Sequence, residues 1–409
     1  MSNPFDNAMA QLEKALQIKS INTNLAQKLH YPDRDIRIHI PISMDDGSTR
    51  IFEGYRVQYD NTLGPYKGGI RYHQDADINE VKALAFWMTI KCAIAGIPMG
   101  GGKGGIKVNP KDLSEKEIER LSRGWVQKLS DVIGPHKDVP APDVNTTPLI
   151  MSYMVDEYEK ITGDTSGAVI TGKPIDKGGS EGRGPATGLG GFYVFETLRG
   201  KIGLPEKCKV VVQGFGNVGF NGAKIFAQHG HSIIAVSDSK GGVYNENGLD
   251  LEKLADHKKN TGSLADFEGS KNISNEELLA LPCDVLAPSA FENVITKENV
   301  HSIQAKVILE LANGPVTPEA DDILFSKNIA VIPDVLANSG GVTVSFFEWD
   351  QNLKNEHWTE KDVFDKLQEY MQSASLAVWQ KKEEYNTSLR VGAFLLALER
   401  IGEKMKVLK

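Results

Sequence analysis

Cysteine is scarce. The 409-residue chain holds three, Cys92, Cys208 and Cys283, far apart and without CxxC or CxxH spacing. That count and spacing argue against a disulfide framework and against a structural zinc site. The nine histidines form no HExxH or HxxxH helical pair, although His229 and His231 lie close in sequence. Also missing is any block of one-signed charge: the formal net charge is −8, with acidic residues dispersed and no lysine/arginine cluster. Such a chain is a poor match to a phosphate backbone, so nucleic acid is not an expected partner. No apolar run is long enough to span a bilayer. The longest, residues 83–99, is interrupted by Lys91 and closes at Pro98-Met99. The first residues are polar and include Asp6 and Glu13, unlike a secretory signal or a transit peptide. These absences describe a cytoplasmic protein with reduced thiols, no metal site and no membrane segment.

What remains is ordinary globular composition, 40% hydrophobic and 24% charged, at a length that suggests two or three domains. The one excess is glycine, with 40 residues. Residues 5–30 show helical spacing, with Met9, Leu12, Leu16 and Ile18 as expected core positions. Strand-like runs follow at Ile36–Ile40 and Phe52–Tyr59, and then a segment, 62–77, that reads as a loop. Helices are expected from Asn79 to Ile94, from Ser114 to Ile133 and from Leu149 to Thr162. Between the first two, residues 96–109 read as a glycine-rich loop. The stretch 171–191 (TGKPIDKGGSEGRGPATGLGG) has the texture of a hinge. Beyond it, strands alternate with helices, which implies a mostly parallel, doubly wound sheet. Near the C-terminus, Thr359 and Asp362 resemble a capping box for a helix whose apolar face is Val363, Leu367, Tyr370, Met371, Ala374 and Val378; a last apolar helix spans Val391–Ile401.

Chemistry concentrates in two places. The first is Gly214-Phe215-Gly216-Asn217-Val218-Gly219, a GxGxxG that follows the valine-rich run Lys209–Gln213 and opens a helix. The first glycine permits the tight turn, the second lets the backbone approach a pyrophosphate, and the third lets helix and strand pack closely. Asp238, ending the next strand, stands where a carboxylate accepts hydrogen bonds from an adenosine ribose. It would repel a 2′-phosphate, which favours NAD, yet Ser237, Ser239 and Lys240 beside it suit NADP, so dual use stays open.

The second place is a set of lysines. Lys67 lies in PYKGGIR, Lys91 on an otherwise apolar helix face with Phe86, Trp87, Ile90 and Ile94, and Lys103 between Gly100-Gly101-Gly102 and Gly104-Gly105. The spacing around Lys103 does not fit a Walker loop, since Ile97 and Gly104 occupy positions that need glycine and serine or threonine. A Schiff-base lysine is an alternative that the downstream dinucleotide signature disfavours. If the three ammonium groups converge, they and burial depress one another's pKa, and one becomes a proton-transfer group while the others hold carboxylates. Asp143, in the rigid APDVNTTP segment, is the natural proton partner, or else the N-cap of the helix after it.

The motifs PYKGGIRYH, FWMTIKCAIAGIPMGGGKGGI, PAPDVNT, ATGLGG, VQGFGNVG, SDSKGG, ANGP and DVLANSGGVTVSFFEW, in this order between about residues 45 and 352, resemble the glutamate/leucine/phenylalanine/valine dehydrogenases. Within that family they are similar to the hexameric glutamate enzymes of bacteria and archaea. The resemblance implies an α/β fold with an N-terminal α/β substrate and assembly domain, residues 1–180, joined by the C-terminal helix 385–409. A Rossmann-type dinucleotide-binding domain, 181–350, and a connecting helix, 351–384, complete the expected layout. It implies catalytic roles for Lys103 and Asp143, an α-carboxylate contact for Lys91, and a side-chain-carboxylate pair in Lys67 and Ser345. Met88 stands where some glutamate enzymes carry glutamine. Thr187, Asn217, Asn313 and Asn338 match cofactor-contacting positions, beside Gly214, Gly216, Val218, Gly219 and Asp238. The implied reaction interconverts L-glutamate with 2-oxoglutarate and ammonium, in a homohexamer, with a leucine-, phenylalanine- or valine-type enzyme as the alternative. The long insertion that builds the regulatory antenna of animal enzymes is absent.

Overall fold

The computed structural model describes residues 4–18 and 23–407, and the chain divides into two compact units. One comprises residues 1–183, 342–366 and 394–409; the other comprises 184–341 and 367–393.

The first unit is built on a five-stranded sheet of β1 (Arg34–Ser43), β2 (Thr49–Asp60), β3 (Tyr66–His73), β4 (Gly101–Lys107) and β5 (Asp138–Pro142), in the order β1-β2-β4-β3-β5. β1, β2 and β4 pair antiparallel; β4, β3 and β5 pair parallel. Alternate residues of β1 are buried, as an edge strand with one covered face requires, whereas β2 is continuously buried from Tyr55 onward, where β4 flanks it. Leu121 and Trp125 of the helix Glu115–Leu129 and Met151 and Met154 of the helix Pro148–Thr162 join Ile40, Phe52, Ile70, Tyr72 and Ile106 in one core.

The helix Ile78–Ala95 covers the opposite face, and here the glycines explain themselves. A Cβ at Gly101 would overlap the Thr89 hydroxyl and the Ala85 carbonyl, so this helix lies directly on the backbone of β4. A Cβ at Gly68 would overlap the Gly102 carbonyl where β3 meets β4. Two segments that read as loops in sequence, 62–77 and 96–109, therefore contain central strands. Gly68 and Gly101 are there for close backbone contact, whereas Gly96 turns the chain as the left-handed C-cap of the helix Ile78–Ala95.

The N-terminal helix, Pro4–Ile18, buries Ala8, Leu12 and Ala15. Of the expected core positions Leu12 alone is fully buried, Met9 and Leu16 are half-buried and Ile18 is 42% exposed. Two alanines shift the buried stripe and let the helix approach Ile78–Ala95 closely; residues 19–22 of the expected helix lie outside the described residues. The C-terminal helix, Leu389–Val407, sets Phe394 edge-on against Trp87, and Arg400 donates to the carbonyls of Ala93 and Ile94 at 2.8 Å.

The second unit carries a seven-stranded sheet: β6 (Lys209–Gln213), β7 (Ser232–Asp238), β8 (Gly241–Tyr244), β9 (Lys271–Ile273), β10 (Val285–Pro288), β11 (Val307–Leu309) and β12 (Ala330–Ile332). Its order is β12-β11-β10-β6-β7-β8-β9, parallel from β12 to β7, with β8 and β9 added antiparallel at one edge. The chain leaves β6 toward β7 on one side and later returns to β10 on the other. The carboxyl ends of β6 and β10 thus form the switch point at which open α/β sheets bind ligands. The doubly wound expectation holds for the parallel part; the antiparallel edge is additional. Thr359 and Asp362 exchange capping hydrogen bonds, and the helix Glu360–Glu384 buries Val363, Leu367, Met371, Ala374 and Val378.

Candidate active site and cofactor loop

Lys103 shares its face of β4 with Gly101 and Gly105, the face under the helix Ile78–Ala95. Its ammonium lies 2.8 Å from Asp143 Oδ2. Asp143 follows directly on β5, and a Cβ at Gly69 would come within 2.7 Å of the Asp143 Cβ, so glycine in β3 lets the acid approach. The segment is pinned by Asp143 N–H donating to Thr146 Oγ1 at 2.7 Å, with the Thr146 hydroxyl donating in turn to the Ile70 carbonyl. The N-cap of the helix Pro148–Thr162 is Thr147, which leaves the Asp143 carboxylate outside that capping role.

Asp143 has a second cation that sequence reading missed. Arg71 Nε donates to the same Oδ2 at 3.0 Å, and Arg71 also pairs with Glu80. Burial would raise the acid's pKa, but Lys103 and Arg71 together hold it well below the usual carboxylate range. Burial lowers the Lys103 pKa, the Asp143 charge opposes that, and Arg71 adds to the lowering. These groups form one coupled proton system.

Lys67 occupies a different environment. It is 1% exposed and donates to Thr171 Oγ1 at 2.6 Å and to the Val139 carbonyl at 3.2 Å. Burial pushes its pKa down to about 7, against the attraction of Glu348. Thr171 Oγ1 is also 2.6 Å from Ser345 Oγ, so one hydroxyl bridges the two side chains expected to act together. Glu348 accepts from Gly172 N–H and Lys173 N–H and pairs with Lys173 at 2.8 Å, which fixes the turn that carries Thr171. Arg183, whose pKa burial lowers, also feels Glu348 and Lys67. Met88 lies against Gly68, and buried Lys91 acts together with Lys67 on the buried Cys92 thiol, which burial pushes up to about 12.

The structure corrects one physical expectation here. Lys67 and Lys103 are depressed chiefly by burial, and the cations that add to it are Arg56 and Arg183 for Lys67 and Arg71 for Lys103. No lysine is among the leading causes of the shift in Lys67 or Lys103. Of the groups sequence reading did not single out, Arg71 and Glu348 sit within quoted motifs, and Thr171 and Arg183 within the glycine-rich stretch 171–191.

In the second unit the glycine turn takes the form its sequence requires. Gly214 has φ +101°, and a Cβ at Gly219 would overlap the Gly214 carbonyl. Gly216 faces open space and, as N-cap of the helix Asn217–Gln228, offers no side chain to the helix's first amides. The helix Ala186–Ile202, with Thr187 in its first turn, likewise lacks a side-chain cap. The start of the helix Ala186–Ile202 packs on the middle of the helix Asn217–Gln228, where a Cβ at Gly188 would lie 2.8 Å from Gly222 N, and Asn217 Nδ2 donates to the Gly184 carbonyl at 3.3 Å. Convergent uncapped N-termini suit an anion. At the carboxyl ends of β6 and β7, Gln213 Oε1 and Ser237 Oγ are buried without a hydrogen-bond partner. A glycine turn with Gly216 exposed, helix starts without side-chain caps and orphaned polar atoms fit a dinucleotide.

Asp238 accepts from Lys240 N–H at 2.9 Å and pairs with Lys258 at 2.9 Å. Lys258, on the helix Leu251–Thr261, was not expected, and it neutralises the acid that sequence reading set against a 2′-phosphate. Asn338 Nδ2 donates to the Ala312 carbonyl and to Asn313 Oδ1, at 3.1 and 3.0 Å, so these two expected contacts form one feature.

Comparison with known proteins agrees with this geometry. Residues 178–408 match the family model of the Glutamate/Leucine/Phenylalanine/Valine dehydrogenases, and residues 32–160 match that of the Glu/Leu/Phe/Val dehydrogenase dimerisation domain. The chain is 47% identical to an NADP-specific glutamate dehydrogenase of Synechocystis, covering 98% of this chain and 96% of that protein. It is 46% identical to an NAD-specific glutamate dehydrogenase of Clostridioides difficile, covering 99% and 98%. A solved structure, the hetero-hexameric glutamate dehydrogenase of Thermus thermophilus in a leucine-bound form, superposes with a TM-score of 0.94 at 36% identity, covering 99% of this chain and 97% of that one.

Proposed function

The chain belongs to the glutamate/leucine/phenylalanine/valine dehydrogenase family, and from that premise we propose how its residues divide the work. The activity is the reversible oxidative deamination of L-glutamate to 2-oxoglutarate and ammonium with a nicotinamide cofactor. A bound nicotinamide supplies the acceptor for the hydride of the substrate α-carbon; the chain supplies binding and proton transfer.

Lys67, relayed through Thr171 to Ser345, holds the side-chain carboxylate. A leucine side chain would leave that buried ammonium unpaired, at a cost of several kcal/mol, which disfavours the apolar-substrate alternative. Lys91, beside Met88, holds the α-carboxylate. Asp143 takes a proton from the substrate ammonium and frees the nitrogen lone pair. Once Asp143 is neutral, the charge that kept Lys103 protonated is gone and burial favours the amine, so Lys103 gives its proton to solvent, the one proton the overall reaction releases. After hydride has left the α-carbon, Lys103 takes a proton from the water that attacks the resulting iminium carbon and passes it to nitrogen; the carbinol O–H proton returns to Lys103 as the C–N bond breaks, and the proton held by Asp143 leaves with ammonia as ammonium. In reverse, the Lys103 ammonium polarises the keto oxygen.

The cofactor is held by the turn Gly214–Gly219, including Asn217 and Val218, with Thr187, Asp238, Asn313 and Asn338. Asp238 favours NAD, while its pairing with Lys258 leaves NADP usable; relatives specific for each cofactor are nearly equal in identity to this chain. A homohexamer in the cytoplasm is the assembly we infer, supported by the dimerisation-domain match, the six-subunit count of the hetero-hexameric solved relative and three buried free thiols. Among the described residues no helix is long and apolar enough to cross a membrane.

The observation that carries this reading is the Lys103–Asp143 pair at 2.8 Å. Initial rates with L-glutamate, L-leucine and L-phenylalanine against NAD and NADP test it. Glutamate turnover with NAD at least equal to NADP is expected, and leucine outrunning glutamate overturns the substrate assignment.

A further inference from the structure

A buried ionic cluster in the second unit takes no part in the chemistry above. Arg390, at the start of the helix Leu389–Val407, reaches Glu310 Oε1 at 2.7 Å, Asp321 Oδ1 at 3.2 Å and Asp334 Oδ1 at 3.5 Å. All four residues are buried, Glu310 completely. One guanidinium faces three carboxylates, and burial with the neighbouring Asp334 and Asp321 charges pushes the Glu310 carboxyl up to about 7 despite Arg390. Apolar side chains commonly stabilise an interior as well as such a cluster does, so its use is better sought in the geometry it imposes.

That geometry is specific. Glu310 Oε2 accepts from Asp334 N–H at 2.7 Å, at the first residue of the turn of helix Asp334–Ala337, whose N-cap, Pro333, has no capping side chain. Asp334 Oδ2 accepts from Gly314 N–H at 3.0 Å. Arg390 thus ties together the segment that runs from the end of β11 to Gly314 and the helix that ends at Asn338. Those two segments carry Asn313 and Asn338, which are joined again by the Asn338–Asn313 hydrogen bond. A lysine has one point charge and no fork with which to engage three carboxylates in a fixed arrangement.

We propose that Arg390 is a positioning residue for the cofactor, acting through Glu310 and Asp334 to hold the paired Asn313 and Asn338 in their binding arrangement. The proposal rests on the assignment of those asparagines as cofactor contacts, and the test separates the two. Reduced-cofactor Kd, measured by nicotinamide fluorescence, and glutamate KM are determined for the full-length enzyme and for Arg390→Met, Arg390→Lys, Asn313→Ala and Asn338→Ala. Arg390→Met is expected to weaken cofactor binding about tenfold and Arg390→Lys by less, with glutamate KM held within about twofold. A purely structural role lowers the unfolding temperature without that split. If both asparagine variants bind cofactor normally, the contact assignment falls and the proposal falls with it. If they lose affinity while Arg390→Met keeps it, the positioning role alone is overturned. Should Arg390→Met fail to fold, Glu310→Gln gives the same readout: it keeps an acceptor for Asp334 N–H and removes the charge facing Arg390. Unchanged cofactor affinity in that variant overturns the proposal.

Discussion

In the five-stranded sheet, charge is handled by buried and half-buried side chains: Lys103 and Arg71 converge on Asp143, and Lys67 rests on two neutral oxygens. In the seven-stranded sheet, the turn from Gly214 to Gly219 offers backbone amides and empty space, and its one acid, Asp238, is already paired with Lys258. A proton-transferring site needs groups whose pKa burial can move, and burial moves ammonium and carboxyl groups by large amounts. A dinucleotide that is bound and released unchanged in charge at its pyrophosphate needs only fixed dipoles, which do not titrate. The comparison also separates two lysines of one sheet. Lys103 faces a carboxylate and belongs to proton transfer; Lys67 faces hydroxyl and carbonyl oxygens and belongs to recognition.

Lys67→Met breaks the recognition side most severely. The kcat/KM for glutamate is expected to fall about 10²–10³-fold, as breaking a buried charge pair of about 3–5 kcal/mol allows. That for L-norvaline, which lacks the side-chain carboxylate, should hardly change; equal losses on both substrates would show that Lys67 does not read that carboxylate. Gly216→Val tests the backbone side. The added side chain meets open space in the free protein, so folding is expected to survive while cofactor Kd rises roughly ten- to hundredfold. Unchanged cofactor affinity would remove the close-approach argument for this glycine.

The pH dependence sharpens the contrast between the lysines. Lys67, pushed down to about 7 by burial, is cationic below that pH and loses its charge above it. The ratio of kcat/KM for glutamate over norvaline, in which the shared proton chemistry cancels, should fall by about fiftyfold as pH is raised from 7 to 9. A flat ratio would mean that Lys67 keeps its proton across that range.

Legibility in the sequence follows the same division. The dinucleotide unit is readable because its signal is local: strand, glycine turn, helix and second strand lie in one stretch from Lys209 to Asp238. The helices of the first unit are readable from periodicity and from caps such as Ser114 with Glu117. β3 and β4 are not, because their glycines carry neither alternation nor strand propensity; they are strands because neighbouring backbones close on them. Lys103 and Asp143 stand out by context, and family resemblance supplies Ser345. The groups that tune them, Arg71, Thr171 and Glu348, arrive from β3, from the segment after the helix Pro148–Thr162 and from the helix Gly340–Lys354, a convergence that spacing does not encode. Lys258 likewise reaches Asp238 from a helix whose sequence gives no hint of it.

The most direct test of the account is Lys103→Ala, assayed for glutamate turnover alongside a fluorescence titration of reduced cofactor. Turnover is expected to fall about 10²–10⁴-fold, the range for loss of a positioned acid–base group, with cofactor affinity nearly that of the parent. Turnover within about tenfold of the parent, below that range, would contradict the assignment of Lys103 as the group that moves the proton.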